Sequence, residues 1–154
     1  MDLIQSSHLP DFPIVISTPI AWGEMDSYGH VNNIVFFRHF ENARIAFLDH
    51  IEFRDPARNN DIGPILASTQ CRFRRPLTYP DTVHVGARVI TLESDRFELE
   101  FRTVSVAHGG IAAQGSGIVV AYDYTHACKA LIPDRVRQQI EALGRVPPSP
   151  DSPV

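Results

Sequence analysis

The sequence predicts an α+β domain in which a curved antiparallel sheet wraps around one central long helix, followed by a short C-terminal helix. The first observation is the helical spacing of aromatic residues after residue 33. The second is the two-residue alternation of apolar and polar side chains in the segments after residue 64. Short turns between these segments favour antiparallel pairing, and a helix with an aromatic face needs a broad surface to cover it.

The first two elements are a strand and the long helix. Residues 14–22 are β-branched and apolar, which predicts a strand. The helix is predicted over residues 33–51, because a rotation of about 100° per residue places its apolar side chains on one face. These side chains are Phe36, Phe37, Phe40, Ala43, Phe47, Leu48 and Ile51. Arg44 lies inside this stripe one turn after Glu41, a spacing that predicts an i,i+3 pair with the arginine stem on apolar surface.

Four more strands and a short helix are predicted after the long helix. Alternation and β-branched residues predict strands over residues 65–74, 83–89, 97–102 and 111–123. Clusters of turn-forming residues separate them. The last helix is predicted to begin at Pro133 and to run to Leu143, because proline is favoured at the first helical position.

The pattern divides the chain into three parts. Residues 1–12 are predicted to be a flexible lead-in, residues 13–143 one domain, and residues 144–154 a disordered proline-rich tail. A chain of 154 residues that is 44% hydrophobic can bury roughly two-thirds of its unfolded surface as one domain.

Composition argues against several classes of protein. A net charge of −4 disfavours a nucleic-acid binder that neutralises phosphates. No apolar run approaches the roughly 20 residues of a membrane span, and the N-terminus lacks the apolar core of a signal peptide. Cys71 and Cys128 stand far apart and outside any CxxC pairing, which favours a reduced, cytoplasmic setting.

Common nucleophile, phosphate and metal motifs are also missing. Gly115-Ser116-Gly117 does not have the spacing of the G-x-S-x-G elbow, and neither a Walker A loop nor a G-x-G-x-x-G turn is present. The histidines lack the HExxH spacing, and no Cys/His set suits zinc. No metal site is therefore expected.

An unusual concentration of polar residues, E-M-D-S-Y-G-H-V-N-N, precedes the long helix. In one interpretation, Asp26 or Asn32 caps the helix and Gly29 supplies a left-handed turn. That interpretation accounts for one polar residue and the glycine. In the other, free amides near Asn32 and Asn33 bind a polarised carbonyl oxygen beside a carboxylate or imidazole that acts as nucleophile or base. Both interpretations stay open at this point.

A resemblance to a known family rests on this stretch. The sequence W-G-E-M-D-S-Y-G-H-V-N-N, followed by F-x-x-x-F-E-x-A-R-x-x-F-L, resembles the 4-hydroxybenzoyl-CoA thioesterase-like branch of the hotdog-fold acyl-CoA thioesterases. Weaker matches at Arg75-Pro76-Leu77, Asp81 and Ile132-Pro133-Asp134 extend it over most of residues 13–143. The resemblance implies a hotdog fold, homodimers or dimer-based tetramers, and hydrolysis of an acyl-CoA thioester without a cofactor, coenzyme A being part of the substrate.

The resemblance also implies residue roles. The second acidic residue of the family's D-x-D motif, the catalytic carboxylate, falls on Asp26, and the first becomes Glu24. Asn33 supplies the expected backbone N–H for the thioester oxygen, and His30 is expected to support catalysis by orienting the loop through hydrogen bonds. Expected substrate-binding residues are Tyr28, Gly29, Asn32, Phe36, Phe37, Arg72, Arg74 and Arg75. The three arginines are candidates for the coenzyme A phosphates, with a solvated strand edge as the alternative.

Two other functions remain open from the sequence. A hotdog enoyl-CoA hydratase or dehydratase uses a histidine with an acidic residue, and His30 with Glu41 matches that pair in type. A non-catalytic acyl-CoA-binding protein is the other alternative, and the presence of Asp26 argues against it.

Overall fold

The computed structural model describes residues 7–144, so residues 1–6 of the predicted lead-in and residues 145–154 of the predicted tail lie outside the described residues. The strands are β1 (Ile14–Pro19), β2 (Ile62–Phe73), β3 (Thr82–Leu92), β4 (Arg96–Ser105), β5 (Gly110–Asp123) and β6 (Cys128–Lys129). The helices are α1 (Asn33–His50) and α2 (Asp134–Ala142), with 3₁₀ turns at Trp22–Glu24 and Pro56–Arg58.

The strands form one antiparallel sheet with the order β1-β3-β4-β5-β2, and the short β6 pairs with β5. The sheet curves around α1, so the predicted α+β fold is confirmed. Strand β1 is shorter than predicted, because the chain leaves the sheet after Pro19 and forms the 3₁₀ turn. The Glu24 carboxylate accepts the Ala21 N–H at 2.7 Å and so holds that turn closed.

Helix α1 packs its aromatic face onto the inner side of the sheet. The Phe40 ring stacks on Phe101 of β4 with ring centroids 5.0 Å apart, and both side chains are fully buried. Strand β5 can approach closely here because residue 115 is glycine, where any side chain would collide with the Phe40 ring. One buried residue of α1 lies outside the predicted apolar face: His39 is 1% exposed, and neither of its ring nitrogens has a hydrogen-bond partner among the described residues.

Burial lowers the pKa of two side chains on α1. Desolvation lowers the pKa of His39, with the Glu24 carboxylate acting in the opposite direction. Desolvation also lowers the pKa of Arg44, and the negative charge of Glu41 partly offsets this effect. Among the described residues, Glu41 and Arg44 form no direct ion pair, so their predicted pairing is limited to this effect on the pKa of Arg44.

The described part of the lead-in, residues 7–12, is packed against the sheet, in contrast to the expected flexible segment. Leu9 and Phe12 are 4% and 7% exposed and form a small apolar cluster with Val104 on the outer side of the sheet. Residue 86 of β3 is glycine, and a side chain there would meet the Phe12 ring. The apolar residues of the lead-in were too few to suggest this packing from the sequence, but they cover β3 on its second face.

Strand β2 is the exposed edge of the sheet. Its apolar residues Ile65, Leu66 and Phe73 are 40%, 38% and 47% exposed. The physical reason is position, since β2 is outermost and pairs only with β5. Among the described residues, no helix is long and apolar enough to cross a membrane.

Candidate functional site

The polar stretch before α1 folds into a closed turn over residues 24–32. The Asp26 N–H donates to the His30 carbonyl at 2.8 Å, and the Asn32 N–H donates to the Glu24 carbonyl at 2.9 Å. Gly29 adopts φ 76°, a left-handed conformation that a turn this tight requires at one residue. The turn therefore brings its two ends together directly in front of the helix.

Asn32, and not Asp26, caps α1. The Asn32 side-chain oxygen accepts the Ile34 N–H at 3.2 Å. Asp26 instead accepts the Tyr28 N–H through Oδ1 at 2.9 Å. Within residues 7–144, no group donates to the other carboxylate oxygen, Oδ2, and the residue is exposed. The carboxylate is thus oriented by one hydrogen bond and keeps one oxygen free for chemistry.

The first backbone amide of α1 is also unpaired. Among the described residues, no acceptor lies in hydrogen-bonding position for the Asn33 N–H, whereas the Ile34 N–H is taken by the cap. A free N–H at a helix N-terminus attracts negative charge, because the helix dipole points its positive end there. The same loop therefore presents a carboxylate and a donor for a developing oxyanion.

His30 contributes to the turn through its backbone. Its carbonyl accepts the Asp26 N–H, whereas its exposed imidazole has no hydrogen bond to any of the described residues. A hydrogen bond of the His30 main chain therefore helps to orient the loop, and the predicted supporting role of its side chain in catalysis stays a prediction. Tyr28 is 86% exposed and its ring projects from the same turn.

An aromatic cluster lies beside the start of α1. Phe36 is 3% exposed and meets Phe73 of β2 edge-to-face at 5.1 Å, and Phe37 meets the same ring at 6.4 Å. The structure therefore brings the two predicted aromatic residues together with Phe73, which was not among the predicted substrate-binding residues. Its alternation with Arg72 and Arg74 was the signal that it faces the helix.

The predicted arginines occupy the other face of β2 and its end. Arg72 and Arg74 line an open groove of about 470 Å³ together with Gln70 and Gln114. The Arg74 Nε donates to Gln114 at 2.6 Å, and a guanidinium nitrogen of Arg75 lies 3.3 Å from His108 Nδ1. Within the described part of the chain, none of the three arginines has a carboxylate within ion-pair distance, in contrast to Arg88, which lies 2.9 Å from Glu100. Their charges are available to an anion.

Other reactive groups are less suitable. Cys71 borders the groove, but burial raises the pKa of its thiol to about 11, so it is protonated at neutral pH.

A cavity of about 550 Å³ lies near Phe47, at the opposite end of α1 and about 20 Å from Asn33 along the helix axis. In the described residues, no group of three or more His, Cys, Asp or Glu side chains is arranged to hold a metal ion.

Comparison with known proteins gives a family match over most of the domain. The family model described as "Thioesterase-like superfamily" matches residues 20–140. Among curated proteins, zebrafish (Danio rerio) Protein THEM6 is 28% identical over 99 residues, covering 64% of this chain and 49% of that protein. The uncharacterized protein YsmA of Bacillus subtilis is 29% identical over 80 residues, covering 47% of this chain and 53% of that protein. The chain thus spans about half the length of these two relatives.

Solved structures match over nearly their whole length. A thioesterase from Thermus thermophilus, solved with coenzyme A and zinc, is 28% identical with a TM-score of 0.76, covering 88% of this chain and 96% of that one. The PA2801 protein of Pseudomonas aeruginosa is 27% identical with a TM-score of 0.73, covering 84% and 98%. Slr0204, a 1,4-dihydroxy-2-naphthoyl-CoA thioesterase from Synechocystis, is 16% identical with a TM-score of 0.72, covering 82% and 94%, and it supports the fold alone.

Proposed function

Because the chain belongs to the thioesterase-like superfamily, we propose that it hydrolyses an acyl-CoA thioester to a free carboxylic acid and coenzyme A. We also place it in the 4-hydroxybenzoyl-CoA thioesterase-like branch, on the motif at residues 22–33. The observation that carries the proposal is the exposed Asp26 carboxylate, with its free Oδ2, in the turn that leads into the unpaired Asn33 N–H. The similarity to a thioesterase solved with coenzyme A supports the substrate class.

In this mechanism the thioester carbonyl oxygen accepts the Asn33 N–H. The donor and the helix dipole stabilise the negative charge that develops on that oxygen, and such preorganised donors contribute a large part of catalysis in acyl transfer. Asn32 supports the arrangement by capping the helix, and Gly29 supports it by closing the turn.

Asp26 then acts in one of two ways. As nucleophile, Oδ2 attacks the carbonyl carbon, the C–S bond breaks, and water hydrolyses the resulting mixed anhydride to restore the carboxylate. As general base, Oδ2 takes a proton from a water molecule that attacks the same carbon. In both routes the coenzyme A thiolate leaves and takes a proton from solvent. A thiol with a pKa near ~8.5 needs little help from an acid, which suits a site with one carboxylate.

The remaining residues bind the substrate in this proposal. Phe36 and Phe37, with Phe73, provide an apolar surface for the acyl group near the turn. The exposed Tyr28 ring, which projects from the turn, contacts the substrate in this proposal. The unpaired charges of Arg72, Arg74 and Arg75 suit the coenzyme A phosphates.

The test is thiol release from a panel of acyl-CoA esters, with enoyl-CoA absorbance and plain binding measured in parallel. Thiol release above the rate of spontaneous hydrolysis supports the thioesterase. A change in enoyl-CoA absorbance without thiol release supports the hydratase alternative, in which His30 and Glu41 would act. Binding without either reaction supports the acyl-CoA-binding alternative.

We further propose that the protein is a homodimer or homotetramer in the cytoplasm. The exposed apolar residues of the β2 edge, Ile65, Leu66 and Phe73, favour pairing with a second copy. Solution scattering at micromolar concentration should show an oligomer, and Leu66→Lys should shift it towards monomer. Leu131→Lys is the control, since Leu131 is 69% exposed and lies outside β2, after β6. A monodisperse wild-type monomer would contradict the proposal.

A further inference from the structure

The segment from Leu77 to Asp81 holds the Asp26 turn in place. The Val31 N–H donates to the Leu77 carbonyl at 2.8 Å, and the Tyr79 N–H approaches the Met25 sulfur at 3.5 Å. Among the described residues, these are the hydrogen bonds that link residues 25–31 to the chain beyond residue 35. The position of the turn therefore depends on the position of this segment.

The same segment also fixes the entrance to the turn. The Ile20 N–H donates to the Asp81 backbone carbonyl at 2.9 Å, immediately before the 3₁₀ turn that contains Trp22. Leu77 is fully buried and Ile20 is 3% exposed, so both attachments lie in the core. The turn is thus attached at its entrance, at Met25 and at Val31 to one short stretch of chain.

Asp81 in turn is clamped by the connection between β4 and β5. Its Oδ1 accepts its neighbour Thr82's N–H at 2.7 Å and the Ala107 N–H at 2.9 Å. Its Oδ2 accepts the Ser105 hydroxyl at 2.5 Å, and Ser105 is fully buried. The Ser105 oxygen also accepts the His108 N–H at 3.1 Å. Three donors on one carboxylate fix its direction, because hydrogen bonds to a charged acceptor are shorter and stronger than neutral ones.

We propose that Asp81 is a positioning residue for the thioesterase reaction. It holds segment 77–81 in place, and this segment in turn holds the Asp26 turn in the position that the reaction requires. This inference rests on the proposed function. Asp81 itself touches no reacting atom in this role. The physical reason is the sensitivity of catalysis to placement, since an error of about 1 Å in a catalytic group costs roughly 100-fold in rate. Substrate binding depends on other residues, so the effect belongs in kcat and not in KM.

A graded series of variants tests the proposal. Asp81→Ala removes all three accepted hydrogen bonds and should lower kcat by about 10- to 100-fold with KM within about twofold. Asp81→Asn keeps one oxygen for the Thr82 and Ala107 amides and should recover most of that loss. Ser105→Ala removes the bond to Asp81 Oδ2 and the bond that Ser105 accepts from the His108 N–H, but it leaves both amides on Oδ1, so its kcat should fall between those of wild type and Asp81→Ala. Ile140→Ala, in the buried face of α2, is the control for general destabilisation. It should lower Tm about as much as Asp81→Ala does but leave kcat unchanged.

A second readout does not depend on activity. Trp22 is the single tryptophan of the chain and is 71% exposed beside the entrance of the turn. Asp81→Ala should lower its fluorescence anisotropy and speed hydrogen exchange of the Val31 amide, whereas Ile140→Ala should change neither. This readout examines the attachment of the turn whether or not the protein hydrolyses thioesters.

The outcomes separate the two proposals. An inactive wild type, with the exchange and anisotropy changes present, contradicts the proposed function and leaves the attachment by Asp81 established. An active wild type, together with a folded Asp81→Ala variant that keeps its kcat, overturns the positioning role. Equal losses of kcat in Asp81→Ala and Ile140→Ala would also overturn it, because general destabilisation would then account for both.

Discussion

The two ends of α1 differ sharply in burial and in hydrogen bonding. At the C-terminal end, Phe47, Ile51 and Phe53 are fully buried, and both phenylalanines contact Phe97 of β4. At the N-terminal end, Ile34 is 62% exposed, and Asn33 is exposed with an N–H that has no acceptor among the described residues. The difference suggests that one end of the helix supplies stability while the other keeps polar groups free for substrate, and the following variants test that division.

Asp26→Asn should have the largest effect, at the N-terminal end. It keeps an oxygen for the Tyr28 N–H but removes the charge and the nucleophile, so kcat should fall on the order of 10³-fold or more. Binding of acyl-CoA and thermal stability should change little, as steady-state kinetics, calorimetric binding and Tm can establish. The control is Asp49→Asn, which alters an exposed carboxylate at the far end of the helix. A folded Asp26→Asn variant within a few-fold of wild type would remove Asp26 from the site.

A single-turnover reaction in ¹⁸O water distinguishes the two roles of Asp26. Label that appears in the Asp26 carboxylate supports the mixed anhydride. Label that appears only in the acid product shows that water attacks the acyl carbon, which the general-base route requires.

Phe47→Ala, at the C-terminal end, should lower stability strongly and turnover little, the opposite of Asp26→Asn. The loss of a fully buried ring should lower the free energy of unfolding by about 3–5 kcal/mol. Turnover per folded molecule should stay within about twofold, because the cavity forms roughly 20 Å from Asn33. Urea denaturation and kinetics on the same preparation measure both quantities. Ile34→Ala, at an exposed position of the same helix, should cost less than about 0.5 kcal/mol. Strong loss of turnover in stable, folded Phe47→Ala would show that the two ends are coupled.

His30→Ala should reduce turnover by about 10- to 100-fold, because it removes an exposed imidazole from the Asp26 turn, where that ring can contact the substrate or an attacking water. The imidazole has no hydrogen bond to the described residues, and the turn is held by the His30 carbonyl, so the fold should be unaffected. Circular dichroism and kcat together check this. Complete loss of activity would make His30 a primary catalytic group and would favour the hydratase alternative.

His39 should make the protein sensitive to acid. Burial lowers the pKa of His39 in the folded state, so the unfolded chain binds the proton more readily. Its contribution to stability is therefore complete above the ordinary histidine pKa of about 6.5 and is lost as the pH falls below it, by at most about 1.4 kcal/mol per pH unit. The neighbouring charges are Glu24, which opposes the shift, and Arg38, which adds to it.

Urea denaturation between about pH 7 and pH 5 measures this effect. The His39→Leu variant should lose less stability over that range than wild type, whereas the exposed His50→Asn variant should follow wild type. If His39→Leu and wild type have the same pH slope, the imidazole is not the group responsible.

Much of the fold follows from local patterns. The spacing of Phe36, Phe40 and Phe47 was sufficient to predict α1, because a helix that lies on a sheet must repeat its apolar residues at 3.6-residue intervals. Alternation predicted β3 and β4 for the same kind of reason, with a period of two. The exposure of β2 and the packing of Leu9 and Phe12 could not be read this way, since both depend on which surfaces the sheet leaves uncovered.

For the candidate site, too, local patterns predicted some features and tertiary contacts decided the others. The residue types and spacing of the turn placed Asp26 and Asn32 before α1 and Asn33 at its first position, because capping, turn formation and helix dipoles act over a few residues. The folded chain decided which asparagine caps the helix, that Phe73 joins the aromatic cluster, and that Asp81 anchors the segment beneath the turn. These contacts join residues from different strands, so they exist only once the sheet order has brought those strands together. Sequence patterns report neighbours along the chain, whereas hydrogen bonds such as Val31 to Leu77 depend on the curvature and order of the whole sheet.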